Sequence, residues 1–240
     1  MKSLKKYISK NEMWVFIPAR SGSKSIKNKN IKKINGKPLI YYTLLIAKKL
    51  KRVKKIVFSS DSQYYLNIAS KYAKIEKDLR SKKNSTHLST DYDVFKEYLE
   101  KKLEKKQNIP EFFLHLRPTT PARKLKTTNN IIDTFVKNSK NYSSLRSVSE
   151  LENPGYKTVI FKNKKLLSLF YNSFDLEIIN KSRQTYQKTY IPNGYADIIR
   201  TENLIKKTLH GNKVFGYIIS EFNSDIDNIN DFKRTKKYLE

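Results

Sequence analysis

Four consecutive large apolar residues, Trp14-Val15-Phe16-Ile17, run without interruption into Pro18-Ala19-Arg20-Ser21-Gly22-Ser23-Lys24, a loop of small and cationic side chains. A strand that is apolar on both faces has to be covered on both sides, and a central strand of a mostly parallel, helix-flanked sheet meets that demand. Short apolar segments and amphipathic helical spacing alternate along the rest of the chain. The expected class is therefore α/β, a mostly parallel sheet with helices on both faces.

Asn35-Gly36-Lys37-Pro38 is a turn signal, after which Leu39–Leu50 carries helical apolar spacing. Lys55–Ser59 predicts a strand, and Ser60-Asp61-Ser62 offers an N-cap for a helix over Gln63–Tyr72. The polar, lysine-rich stretch Asp78–Thr90 reads as a loop and Tyr92–Lys105 as a helix. Phe112–Leu116 reads as a strand, ended by the two prolines of Arg117-Pro118-Thr119-Thr120-Pro121. A helix over Thr127–Lys137 and a strand over Ser143–Val148 follow. From about Leu151 to Pro192 the rhythm changes to two strand candidates around Asn163-Lys164-Lys165 and then polar loops, which reads as an insertion, a dimerisation arm. Gly194–Ile199 and Val214–Ile219 look like returning strands, with a helix over Glu202–Leu209 between them and a terminal helix over Asn230–Leu239. Without repeats or a long low-complexity linker, residues 1–240 are expected to form one domain carrying that arm at about 151–192.

Composition removes several kinds of chemistry. The chain has no cysteine, which excludes disulfide scaffolds, thiolate metal sites and cysteine nucleophiles. Its three histidines, His87, His115 and His210, are scattered singly, so a histidine metal cage is excluded and all three are expected to be structural, locally hydrogen-bonded residues. No apolar run approaches the ~20 residues of a membrane span. The basic start and the apolar Met13–Ala19 resemble a secretion leader, but Pro18 interrupts the stretch and Arg20 stands where small residues belong. The expectation is a soluble, cytoplasmic chain.

Fifty Lys+Arg against 22 Asp+Glu give a net charge of +28. Such a charge fits polyanionic partners, but it is spread along the whole chain and no DNA or RNA motif accompanies it, so specific nucleic-acid binding is not expected. The loop after the first apolar run is more informative. Small residues let backbone N–H groups approach phosphate oxygens, and Arg20, Lys24, Lys27 and Lys29 would screen a triphosphate. Its place after the first strand is where open α/β sheets bind ligands. The alternative is an ordinary basic surface loop.

The segment Ile17–Asn30 (IPARSGSKSIKNKN) resembles the N-terminal signature of the CMP-sialic acid synthetases, the acylneuraminate cytidylyltransferases. Five further segments resemble that family in the same order: Ile34–Ile40, Phe58–Ser62, Leu116–Arg123, the pair Arg183-Gln184 with Pro192-Asn193-Gly194, and Ser224–Asp227. The resemblance implies a Rossmann-like nucleotidyltransferase that couples CTP to an acidic nine-carbon keto sugar, a nonulosonic acid such as sialic or legionaminic acid, and releases pyrophosphate. It also implies a homodimer with shared active sites and a Mg²⁺ cofactor.

By that resemblance Arg20, Ser23 and Lys24 hold the CTP phosphates, with Arg20 and Lys24 serving catalysis. Lys29 lies near the α-phosphate, and Asn30 and Arg80 face the base. Asp225 and Asp227 bind the metal; their i, i+2 spacing in an extended segment puts both carboxylates on one face. The alternative for these two is the acidic start of the terminal helix. Lys157, Arg183, Gln184 and Asn193 serve the sugar, with Lys157 and Arg183 reaching across a dimer interface. Arg117 stands where sialic-acid-using members commonly have glutamine, which implies either a pocket for a different sugar substituent or an arginine paired with a carboxylate. The rivals are a Kdo-type or other sugar nucleotidyltransferase and, from another class, a non-catalytic nucleic-acid-binding protein. The R-x-x-S-T-R-L-P loop usual for the Kdo enzymes is absent.

Overall fold

The structure, a computed structural model, describes residues 2–223 and 225–239. Its strands are β1 Ile8–Pro18, β2 Lys33–Ile34, β3 Lys37–Pro38, β4 Lys55–Ser60, β5 Glu76–Leu79, β6 Ile109–His115, β7 Ser144–Glu150, β8 Val159–Lys162, β9 Lys165–Ser168, β10 Tyr190–Arg200 and β11 Val214–Ile218. The α-helices are α1 Leu39–Ala47, α2 Gln63–Ser70, α3 Asp91–Glu104, α4 Leu125–Asn138, α5 Thr201–Ile205 and α6 Ile229–Lys236. Seven strands form one sheet in the order β11-β7-β10-β6-β1-β4-β5. β1 pairs in parallel with β4 and β6, while β10 runs antiparallel to both β6 and β7.

The apolar run of β1 is buried on both faces, as its sequence demands. Met13, Val15 and Ile17 pack with Ile40, Leu44, Phe58, Leu66 and Phe135 in one layer. Trp14 and Phe16 point the other way, against Val94, Phe95, Tyr98 and Phe113. Phe113 meets the rings of Trp14, Phe16, Phe95 and Tyr98 at centroid distances of 5.3–6.4 Å, mostly edge to face. A third cluster joins Ile26, Ile34, Leu39 and Tyr42 to Ile226 and Phe232, so the C-terminal segment is packed onto the turn that follows the first loop.

Caps explain the helix starts. The Ser62 side chain accepts from the Tyr65 N–H at α2, and Thr90 with Asp93 forms a reciprocal capping box at α3. The stretch expected to be a loop from Asp78 instead begins inside β5, an edge strand paired only with β4. Its polar sequence reflects that edge, where charged side chains oppose further pairing. The helix expected over Glu202–Leu209 stops at Ile205, and Lys207 beyond it takes a left-handed φ of 62°. The terminal helix stops at Lys236.

Residues 151–189 leave the main sheet. β8 and β9 form a two-stranded ribbon across Asn163 and Lys164, whose positive φ of 50° and 62° gives the paired left-handed turn that short hairpins prefer. This part leaves large apolar side chains in solvent, with Phe161 74%, Phe170 59% and Phe174 55% exposed. Among the described residues, no helix is long and apolar enough to cross a membrane.

Phe113→Ala is expected to destabilise the fold by about 3–5 kcal/mol, because the ring is fully buried among four others. Urea unfolding measures this; a loss below about 1 kcal/mol would mean that this layer does not hold the sheet.

Candidate active site

Continuation of the chain beyond β1 is set by β4. The Ala19 N–H donates to Ser59 O at 2.8 Å, and Ser60 Oγ donates to Ala19 O at 2.7 Å. Asp61 then takes the Ser21 N–H on one oxygen and the Ser21 hydroxyl on the other, both at 2.8 Å. These bonds fix the small-residue loop in place at the carboxyl end of the central strand. The resulting cleft, about 250 Å³, is lined by Arg20, Ser23, Lys29, Asn30, Arg80 and Arg117, together with loop residues Asn84, Thr86 and His87 and the start of α3.

Asn30 is 6% exposed. Its amide nitrogen donates to Arg20 O at 2.9 Å, while its Oδ1 is buried without a partner. Arg80 is buried to the same degree, its Nε has no partner, and burial pushes its pKa down despite the nearby carboxylates of Asp61 and Asp78. Arg20 donates from Nη1 to Thr86 O at 2.6 Å, tying the first loop to the 81–90 loop. Lys29 Nζ donates to Ile226 O at 2.6 Å and stands 3.5 Å from the Asp227 carboxylate. Ile226 is buried, and Asp225 and Asp227 on either side of it are exposed, as alternation in an extended segment requires. Ser224, the first residue of that motif, lies outside the described residues.

Arg117 resolves its sequence ambiguity in part. Nη2 donates to Asp91 at 2.7 Å and Nη1 to Asp197 at 3.0 Å, so the guanidinium sits between two carboxylates. Burial alone would raise the Asp91 carboxyl, but His115 and Arg117 beside it outweigh that and hold it at about 2. His115 is fully buried against Phe95, and both its ring nitrogens lack a hydrogen-bond partner, contrary to the expectation of a locally satisfied residue. Burial, with Arg117 adding to it, lowers its pKa to about 4, so the ring is neutral at physiological pH. The nitrogens of His210 are likewise unpartnered, and His87 lines the cleft.

The remaining expected residues divide in two. Lys24 is exposed and does not line the cleft. Asn193 spends its side chain internally: Oδ1 accepts from Ser147 Oγ at 2.7 Å and from the Tyr195 N–H at 3.1 Å, and Nδ2 donates to Ser149 Oγ at 2.9 Å. Arg183 and Gln184 line a different cleft, with Glu150 and Lys188. Lys157 lies 5.8 Å from the Tyr186 ring centroid. The chain thus gathers Arg20, Ser23, Lys29, Asn30, Arg80 and Arg117 in one cleft, without Lys24, and leaves Lys157, Arg183 and Gln184 in the 151–189 segment. Asp91 and His87 line the cleft although sequence reasoning gave neither a role in it, and Asp61, which stood inside the Phe58–Ser62 motif, clamps the loop at Ser21 without lining the cleft.

Among the described residues, no group of three or more acidic, histidine or cysteine side chains could hold a metal. Two exposed carboxylates remain, and the donor chemistry suits Mg²⁺, which takes few protein oxygens and fills its other positions with water and phosphate. Gly194, at φ +67°, faces the same place: a Cβ there would stand 3.2 Å from Thr120 Oγ1, 3.6 Å from Asp225 Oδ2 and 3.8 Å from Arg117 Cδ. Its bare backbone keeps that space open.

A doubly covered, mostly parallel sheet with a polar, cation-walled cleft beyond its central strands is the architecture of a Rossmann-like nucleotidyltransferase. The chain belongs to the cytidylyltransferase family, whose model matches residues 14–220. It is 31% identical over 223 residues to an N-acylneuraminate cytidylyltransferase of Streptococcus agalactiae serotype III, covering 90% of this chain and 50% of that one. It is 34% identical over 136 residues to a CMP-N,N'-diacetyllegionaminic acid synthase of Legionella pneumophila, covering 55% of this chain and 57% of that one. The chain spans about half the length of the Streptococcus relatives it matches. A solved CMP:2-keto-3-deoxy-manno-octonic acid synthetase in complex with CTP shares the fold, with a TM-score of 0.67 at 13% identity over 94% of this chain and 97% of that one.

Neutral burial of His115 makes stability depend on pH. The unfolded chain takes up a proton near pH 6.5 and the folded one only near 4, so stability is complete above about 6.5 and is lost as pH falls toward 4, by roughly 3 kcal/mol. His115→Leu should flatten that slope. An unchanged slope in urea titrations across this range would remove His115 as its source.

Proposed function

We propose that this chain is a cytidylyltransferase that couples CTP to a nonulosonic acid, such as sialic or legionaminic acid, and releases pyrophosphate. The observation that carries the reading is the cleft itself. It brings Arg20, Ser23 and Lys29 together with the buried pair Asn30 and Arg80, one set suited to a polyphosphate and the other to a base. The relatives named for N-acylneuraminate and diacetyllegionaminic acid support the acid as co-substrate.

Base choice follows from one atom. One of the two N–H donors of the Asn30 amide is taken by Arg20 O, and the buried, unpartnered Oδ1 is free to accept. The exocyclic amine of cytosine donates there, whereas the carbonyl of uracil at that position cannot. Arg20 and Lys29 hold the phosphate tail, and Lys24 joins them on ligand binding. The anomeric hydroxyl oxygen of the sugar attacks the α-phosphorus in line and gives up its proton to water, the bond to the departing pyrophosphate breaks, and the cations around the tail stabilise the charge that develops on it. Asp225 and Asp227 would hold Mg²⁺, which when bound neutralises phosphate charge and polarises the attacked phosphorus.

Residues 1–240 act as one cytidylyltransferase domain in this reading. The 151–192 segment serves as a dimerisation arm, its exposed Phe161, Phe170 and Phe174 covered by a second copy and its Lys157, Arg183 and Gln184 offered, with Asn193, to the sugar. CTP places the reaction in the cytoplasm, and the product feeds surface glycan synthesis.

With CTP, Mg²⁺ and a panel of nonulosonic acids, the purified protein should release pyrophosphate with at least one acid; background release with all of them would refute the reading. Asp227→Ala should lower turnover by about a hundredfold or more with the fold retained by circular dichroism, and full activity would take the metal role from it. Asn30→Ala should erode the preference for CTP over UTP by about tenfold or more in kcat/KM, and undiminished discrimination would remove Asn30 from base reading.

A further inference from the structure

Arg123 is 6% exposed and its guanidinium makes five hydrogen bonds, matching its five donors. Nε donates to Tyr195 O; Nη1 donates to Thr43 Oγ1 at 3.2 Å and to Thr120 O; Nη2 donates to Arg117 O at 2.8 Å and to Gly194 O at 3.0 Å. No acceptor is a carboxylate. Four are backbone carbonyls, two in the turn over residues 117–120 after the end of β6 and two, of Gly194 and Tyr195, inside β10 where it leaves register with β7 between Pro192 and Asp197. Burial lowers the pKa of this arginine to about 9, which leaves it charged at neutral pH.

We propose that Arg123 is a positioning residue of the site, holding the Arg117–Thr120 turn and the Gly194–Tyr195 stretch as one rigid wall on which the Asp225–Asp227 segment is mounted. The mounting is visible. The Ile226 N–H donates to Thr119 O at 2.8 Å, inside the braced turn, and the space in front of Gly194 is bounded by Thr120 Oγ1, Asp225 Oδ2 and Arg117 Cδ. The braced turn also carries Arg117, whose side chain spans Asp91 and Asp197. Lysine cannot replace the fork, because an ammonium has three donors and no planar spread for carbonyls from two segments and a helix hydroxyl. Arg123 makes no hydrogen bond to Arg20, Ser23, Asn30 or Arg80, and of the residues assigned to the nucleotide only Lys29 reaches the mounted segment, through Ile226 O, so its influence falls mainly on the acid and metal side of the cleft. That assignment of sides rests on the proposed cytidylyltransferase reading.

The test is Arg123→Lys, followed by hydrogen exchange as well as by kinetics. In the folded variant the Ile226 amide and peptides covering 117–123 and 193–196 should exchange about tenfold faster or more, with β1 and β4 unchanged. CMP affinity measured without metal should stay within about twofold, while KM for the acidic co-substrate rises about tenfold. Unchanged exchange over those segments in a folded variant overturns the proposal, and so does an equal loss of CMP and acid affinity. Should Arg123→Lys fail to fold, Thr43→Val removes a single acceptor, and exchange in the same segments should quicken about threefold; no change there is equally fatal. Failure of the wild-type protein to release pyrophosphate with any acid would sink the functional reading alone, since the exchange measurement decides the role of Arg123 without a substrate.

Discussion

The structure depends on a strand that cannot be left wet on either side. With Met13, Val15 and Ile17 facing one layer and Trp14 and Phe16 the other, β1 needs helices above and below it. Each of these side chains contributes about 1.5–3 kcal/mol when fully buried. A strand covered on both faces can meet solvent only at its ends. The carboxyl end of β1 is therefore where the chain can present polar groups to a ligand, and the Asp61–Ser21 clamp fixes the loop that does so.

Around that loop the charges are arranged by two different rules. In one part of the cleft, Asn30 and Arg80 are buried with unpaired atoms, a cost of roughly 1–3 kcal/mol for each unsatisfied polar atom. On the other side, Arg117 is already neutralised by Asp91 and Asp197, and Arg123 is satisfied by carbonyls. Both groups keep unpartnered atoms, Asn30 Oδ1 and Arg80 Nε in one and Thr120 Oγ1 and Asp197 Oδ1 in the other, but only in the second are the guanidinium groups themselves paired.

Most of the main sheet could be read from the sequence because its signals are local: the apolar run of β1, the Ser62 cap, the prolines after β6. β5 could not, since an edge strand is built from the same polar residues as a loop. Of the motif residues, Arg20, Ser23, Lys29, Asn30, Arg80 and Arg117 lie together in one cleft. What stayed hidden were roles created by distant pairing. Nothing near Asp91 in the chain announces Arg117, twenty-six residues on. Nothing near Arg123 announces Gly194, seventy-one residues away. His115 looked like a routine strand residue, and only three dimensions reveal a ring with no partner.

Gly194 carries a consequence for how such a chain can diverge. Its left-handed backbone angle strains other residues, and a Cβ there would stand 3.2 Å from Thr120 Oγ1, so that hydroxyl would have to yield slightly, while Asp225 at 3.6 Å would not. Glycine is thus favoured at this codon by backbone shape rather than by any group it offers a ligand. Side chains around it can change their chemistry one at a time, whereas a change here would first have to meet the cost of the backbone angle.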